Sequence, residues 1–113
     1  MSPRKPKPLQ RRARADLDVI EAIDHDLGES AAAASGFIDA LEQAYARISH
    51  MPGIGSPRYA HPLNLPGLRC WPCKRYPYLV FFVERDDHVD VWRVLHQNRD
   101  LPAWLRTDPS DDR

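Results

Sequence analysis

The run Tyr78-Leu-Val-Phe-Phe-Val83 is apolar at every position, and it constrains the fold more than any other stretch. Successive side chains of a strand point to opposite faces, so a strand apolar on both parities must be covered on both sides. Two β-rich runs flank it, Leu68–Trp71 and His88–Leu95, with the central strand extending from Tyr78 to Glu84. Arg75-Tyr-Pro-Tyr78 and Arg85-Asp-Asp87 mark the connections. Asp tolerates tight turn geometry, so Asp86-Asp87 between two strand-like runs reads as a hairpin.

The preceding half has a helical period. A first helix is expected from Arg11 to Leu27, with Ala13, Leu17, Ile20 and Leu27 near one face and Ile23 alongside. Arg12, Arg14, Asp18 and Glu21 then point elsewhere. Gly28 is a natural terminator and Ser30 an N-cap for a second helix ending near Ile48. There Phe37, Leu41, Ala44, Tyr45 and Ile48 form one stripe. The short connection predicts an antiparallel hairpin, with the alanines from Ala31 to Ala34 allowing close approach. Met51-Pro-Gly-Ile-Gly-Ser-Pro57 must break the helix, and Arg58–Pro66 leads into the sheet as a loop.

At 113 residues, the chain fits a single domain: a basic, proline-punctuated arm over residues 1–7, a folded core over 8–105 and a disordered tail over 106–113. Pro8-Leu9-Gln10 marks a short first strand, and Leu101-Pro-Ala-Trp-Leu105 a helical turn. The fold class is α+β, a helical hairpin on a small antiparallel sheet of three to four strands. A formal net charge of zero provides no global field toward nucleic acid or membrane. No apolar run reaches the roughly 20 residues of a membrane span, and the prolines of the arm interrupt any signal peptide. The expected location is the cytoplasm.

Cys70 and Cys73 bracket Trp71-Pro72. A redox motif of this spacing would open a helix, whereas this one closes a strand and enters a hairpin. A zinc site needs two further ligands, and His61 stands alone. Two reduced thiols, with no metal and no cofactor, is the expectation.

Leu68-Arg69, the Tyr78–Phe82 strand, the Pro52-Gly-Ile-Gly55 turn after the second helix and the ending Arg93-Val-Leu-His-Gln-Asn-Arg-Asp100 together resemble the ParE branch of the RelE/ParE toxin superfamily. The resemblance spans roughly Leu9 to Asp100. It implies a toxin of a type II toxin–antitoxin system that inhibits DNA gyrase, has no catalytic constellation of its own, and is neutralised by a ParD-like antitoxin. It implies no direct sequence-specific DNA binding by this chain. The alternative, from the RelE branch, is a ribosome-dependent mRNA endoribonuclease. A third class is a module that binds an antitoxin and poisons nothing.

Ribonuclease chemistry needs a base, an acid and cations on the phosphate, and Arg69, Arg93 and His96 are the candidates. Strand parity sets Val89, Val91, Arg93 and Leu95 on one face and Asp90, Trp92, Val94 and His96 on the other, which separates Arg93 from His96 unless the strand bulges or ends between them. The structural alternative gives Arg93 a buried carboxylate partner, Asp16 or Asp100, and His96 a turn-anchoring role. Arg69, Lys74 and Arg75 form a candidate target-binding patch, or ordinary solvated charge. Phe37, Tyr45 and Ile54 are candidate antitoxin contacts beside the hairpin. Trp71, Tyr76, Tyr78 and Trp92 suggest base stacking, yet aromatic residues in strands usually pack into the core.

Overall fold

The computed structural model describes residues 5–28 and 30–97; the expected turn at Leu101–Leu105 and the tail over 106–113 lie outside them. The elements are β1 (Leu9–Arg11), α1 (Ala13–Asp26), α2 (Ala31–His50), a single 3-10 turn (Pro52–Ile54), β2 (Leu68–Pro72), β3 (Tyr78–Glu84) and β4 (Val89–His96). The four strands form one sheet in the order β1-β4-β3-β2. β2, β3 and β4 are antiparallel, while β1 runs parallel to β4, with Leu9 opposite Val89 and Arg11 opposite Val91. The sheet is therefore mixed, not purely antiparallel.

β3 is covered on both faces. Tyr78, Val80 and Phe82 meet Phe37, Leu41 and Ile48 beneath the helices. Leu79, Phe81 and Val83 join Leu68 and Trp92 on the far side. Among the described residues no helix covers that side; the loop before β2 does so, laying Tyr59, Ala60, Leu63 and Leu65 onto it. Its backbone bonds mostly to itself, with Ala60 N–H to Pro57 O at 2.9 Å and Leu65 N–H to Ala60 O at 2.9 Å, and Asn64 takes the left-handed conformation at φ 54°. The segment expected to be a mere lead-in is thus the second covering layer.

α2 follows its sequence pattern. The Ser30 hydroxyl accepts from Ala33 N–H at 3.0 Å, and Phe37, Leu41, Ala44 and Ile48 form the buried stripe. Its interior Gly36 costs about 1 kcal/mol against alanine in a helix. A Cβ there would meet the Tyr76 hydroxyl, which would have to move aside.

α1 departs from its pattern. Ala15, Asp18 and Ala22 are buried, whereas Leu17 is 40% and Ile20 55% exposed. The helix is rotated from the orientation that the apolar spacing predicts. It lies along the edge of β4 just past the end of β1, where small alanines permit close approach and a polar group is required by the strand's unpaired backbone.

Candidate functional site

That polar group is Asp18. β1 ends after pairing with Val91, and Arg12 N–H bonds Val91 O at 3.0 Å as the chain turns into α1. Further along α1, Asp18 Oδ2 accepts the Val94 N–H at 3.0 Å. The Arg93 guanidinium grips the same carboxylate through Nε at 2.8 Å and Nη2 at 2.9 Å. Both side chains are almost wholly buried, at 1% and 3% exposure. Planar two-point pairing offsets the desolvation of both charges. Arg93 is thus engaged within the fold, and among the described residues the carboxylate it pairs with is Asp18 rather than Asp16. Asp16 instead pairs with Arg11 on the surface at 3.0 Å, and Asp100 lies outside the described residues.

The parity expected for β4 is broken by a bulge. Phe81 stands opposite Arg93 and Phe82 opposite Val91, so Trp92 is the extra residue. Val94 consequently joins Val89 and Val91 beneath the helices, while Trp92 and Leu95 join the far cluster. His96 stands opposite Tyr78 and packs on its ring at 5.1 Å. Since the irregularity precedes Arg93, the two residues remain on opposite parities. Arg69, on β2, turns its Nη1 to Gly55 O at 2.7 Å and Gly53 O at 3.3 Å, latching the 3-10 turn to the sheet. The structure does not bring Arg69, Arg93 and His96 together as one catalytic constellation.

The remaining candidates separate into two grooves on either side of α2. Phe37 is fully buried against Tyr78 and Tyr76, at 5.0 and 5.7 Å between rings, and offers a partner no surface. Tyr45 lines an apolar groove between α1 and α2 with Ile20, Ile38 and Leu41. Burial pushes its hydroxyl well above the usual tyrosine range, an effect only partly countered by Arg11. That hydroxyl is buried with no hydrogen-bond partner among the described residues. Ile54 is half-buried in the 3-10 turn, away from this groove.

Lys74 and Arg75 sit exposed in the β2–β3 turn, where Arg75 has a φ of 75°. They line the groove on the other flank of α2, facing Asp39, Gln43 and Arg47. Arg69 is not part of it. Of the aromatics considered for stacking, Tyr78 and Trp92 are buried, and Trp92 is capped by the Arg12 guanidinium 4.5 Å from its ring.

Cys70 and Cys73 are free and buried, and they belong to the clusters on opposite faces of the sheet. Burial pushes the Cys73 thiol up to about 11, which suppresses the thiolate that redox or metal chemistry needs. Sequence reasoning missed Asp18, Ile20, Ile38 and Arg47. The only signal for Asp18 was the interior arginine of β4, which demands an acid somewhere on α1.

The comparisons with known proteins agree with this geometry. The family model described as ParE toxin of type II toxin–antitoxin system, parDE, matches residues 9–101. Among solved structures, one titled "Chromosomal ParDE TA system from P. aeruginosa" superposes with a TM-score of 0.66 at 20% identity, covering 82% of this chain and 98% of that chain. Likeness at that identity is likeness of fold. No curated protein matches the sequence. A family match from β1 through β4, on a fold shared with a ParDE structure, identifies the chain as a member of the ParE family of toxins of type II toxin–antitoxin systems.

Proposed function

We propose that this toxin acts by binding rather than by catalysis, inhibiting DNA gyrase in the cytoplasm until a cognate ParD-like antitoxin occupies it. The observation that carries the reading is the family match over residues 9–101. The side chains support it: Arg93 is locked to Asp18 and Arg69 to backbone carbonyls, so two of the three residues considered for ribonuclease chemistry are engaged in holding the fold. The apolar groove at Ile20, Ile38 and Tyr45 is suited to the antitoxin, because a flexible partner segment gains binding energy there by covering exposed aliphatic surface. Ile54 is a further candidate contact, and Phe37 supports the α2 surface from below.

Induction of the toxin alone should arrest growth and raise a DNA-damage response while mRNA stays intact. The purified protein should inhibit gyrase supercoiling, and co-expression of the antitoxin should reverse both effects. His96→Gln should leave inhibition largely unchanged, since no proton is moved. Site-specific mRNA cuts in a translating extract that vanish with His96→Gln would replace this reading with the ribonuclease one. Free expression with no growth effect, together with antitoxin binding, would make the protein the inert module.

A further inference from the structure

α2 is a ridge between two grooves of different chemistry. The flank facing α1 is mainly apolar through Val19, Ile20, Ile38 and Leu41, with charges of both signs from Arg11, Asp16 and Glu42, whereas the flank facing the β2–β3 turn carries Arg47, Lys74 and Arg75. Elsewhere the cations are mostly engaged: Lys7, Arg11, Arg12, Arg85 and Arg93 hold carboxylates, and Arg69 holds carbonyls. The side chains of Arg47, Lys74 and Arg75 belong to exposed residues and make no hydrogen bond or ion pair among the described residues. Three unengaged cations on one groove of a chain with zero net charge form a local field, not a general one.

The groove is also shaped. Two adjoining depressions of about 360 and 410 Å³ share Ala40, Gln43 and Lys74. A third, of about 530 Å³, continues from Gln43 and Arg47 to His50 and Met51. From Gly36 to His50 the rise of the helix gives the trough a length of about 20 Å, which accommodates roughly six residues of extended chain. Half-buried Trp71 and Tyr76 and the 54%-exposed Met51 supply apolar contact between the charges. The left-handed Arg75 holds the cationic tip of the turn in a backbone conformation that costs energy for a residue with a Cβ.

We infer that this groove is a second docking site, distinct from the apolar one, for an acidic extended segment of a protein partner. Charge complementarity selects an anionic occupant. Asp39 lies within the groove, and its carboxylate opposes a continuous phosphate backbone but tolerates a peptide whose charges are spaced. The neutral overall charge likewise argues against nucleic acid as the occupant. The inference goes beyond the gyrase reading and holds whichever target the toxin has.

The probe is a short fluorescein-labelled peptide alternating Glu with Ala and Leu, titrated with the full chain and followed by anisotropy. A Lys-for-Glu version and a single-stranded oligonucleotide of the same length serve as controls. The acidic peptide should bind, weaken as salt rises, and lose at least about tenfold in affinity on Lys74→Glu with Arg75→Glu. Amide shifts should map to Ala40, Gln43 and Lys74. Arg75→Gly guards against misfolding, since it removes a charge while relaxing the turn: it should weaken binding without lowering the melting temperature. Equal binding by the charge-reversed protein, tighter binding of the oligonucleotide, or shifts centred on Ile20 and Ile38 would each overturn the inference.

Discussion

Two ionic nodes hold the N-terminal segment to β4, and they differ in almost everything except the charges involved. At the inner node Arg93 and Asp18 meet within the body of the protein, and the carboxylate also takes a backbone N–H that no strand reaches. At the outer node Arg12 grips Asp90 through Nε at 3.1 Å and Nη2 at 3.0 Å, Arg85 adds a contact at 3.2 Å, and Arg12 stacks over Trp92. The outer node is half-exposed, with side chains from 13% to 44% accessible. Water substitutes for a lost partner at the outer node but has no access to the inner one. The inner node thus enforces the position of α1 through the penalty for breaking it, and the outer node merely favours it.

The largest effect expected is that of Asp18→Ala, which removes the two-point partner of Arg93 and the acceptor of the Val94 N–H together. A loss of about 3–5 kcal/mol in chemical denaturation is expected. A loss below about 1 kcal/mol would erase the contrast between the nodes. Replacing the pair by apolar residues, Asp18→Leu with Arg93→Met, sharpens it. The double variant should recover part of that loss and remain about 1–2 kcal/mol below wild type, because Val94 N–H still lacks an acceptor.

Arg12→Ala should cost less, about 1 kcal/mol, since Asp90 keeps Arg85 and gains water. The outer node also titrates. Burial alone would raise the Asp90 carboxyl, but hydrogen bonds from Arg12 and Arg85 outweigh it and hold it below the usual aspartate value. Its contribution is therefore full above the unfolded-state value, near pH 3.9, and is lost as pH falls through the lowered folded-state value. Arg12→Ala should flatten that acid limb in a melting-temperature profile. Lys7→Ala, which removes the 2.7 Å pair with Glu84, is expected to cost under about 0.5 kcal/mol by the same denaturation assay.

The contrast between the nodes also explains what was legible in the sequence. Tyr78–Val83 announced a strand buried on both sides, because side-chain alternation is a local property and needs no partner to be read. The stripe Phe37–Leu41–Ala44–Ile48 on α2 was legible for the same reason. The apolar spacing of α1 through Leu17 and Ile20 points to the wrong face, since both residues are exposed. The helix instead turns Asp18 inward, to a need created by β4 far along the chain. The bulge at Trp92 was equally invisible, since it arises from pairing between strands. The loop from Tyr59 to Leu65 carried a signal in its four apolar residues, but covering a sheet with a loop leaves no periodicity to find. Of the candidate site, Lys74 and Arg75 were found together; Arg47, on α2, reaches them only through the fold.

The sheet order carries a consequence for the timing of assembly. β1 pairs with a strand that begins at Val89, and Asp18 grips an arginine 75 positions away. Closing so long a loop is entropically slow and is repaid only after both ends exist. β1 and α1 are therefore made well before the strand that gives them a place to dock. Both α2 grooves border elements that belong to this late-closing framework or to the β2–β3 turn. A nascent chain interrupted before β4 has neither the edge that receives β1 nor the partner for Asp18, so the toxin's surface matures only once β4 has been made.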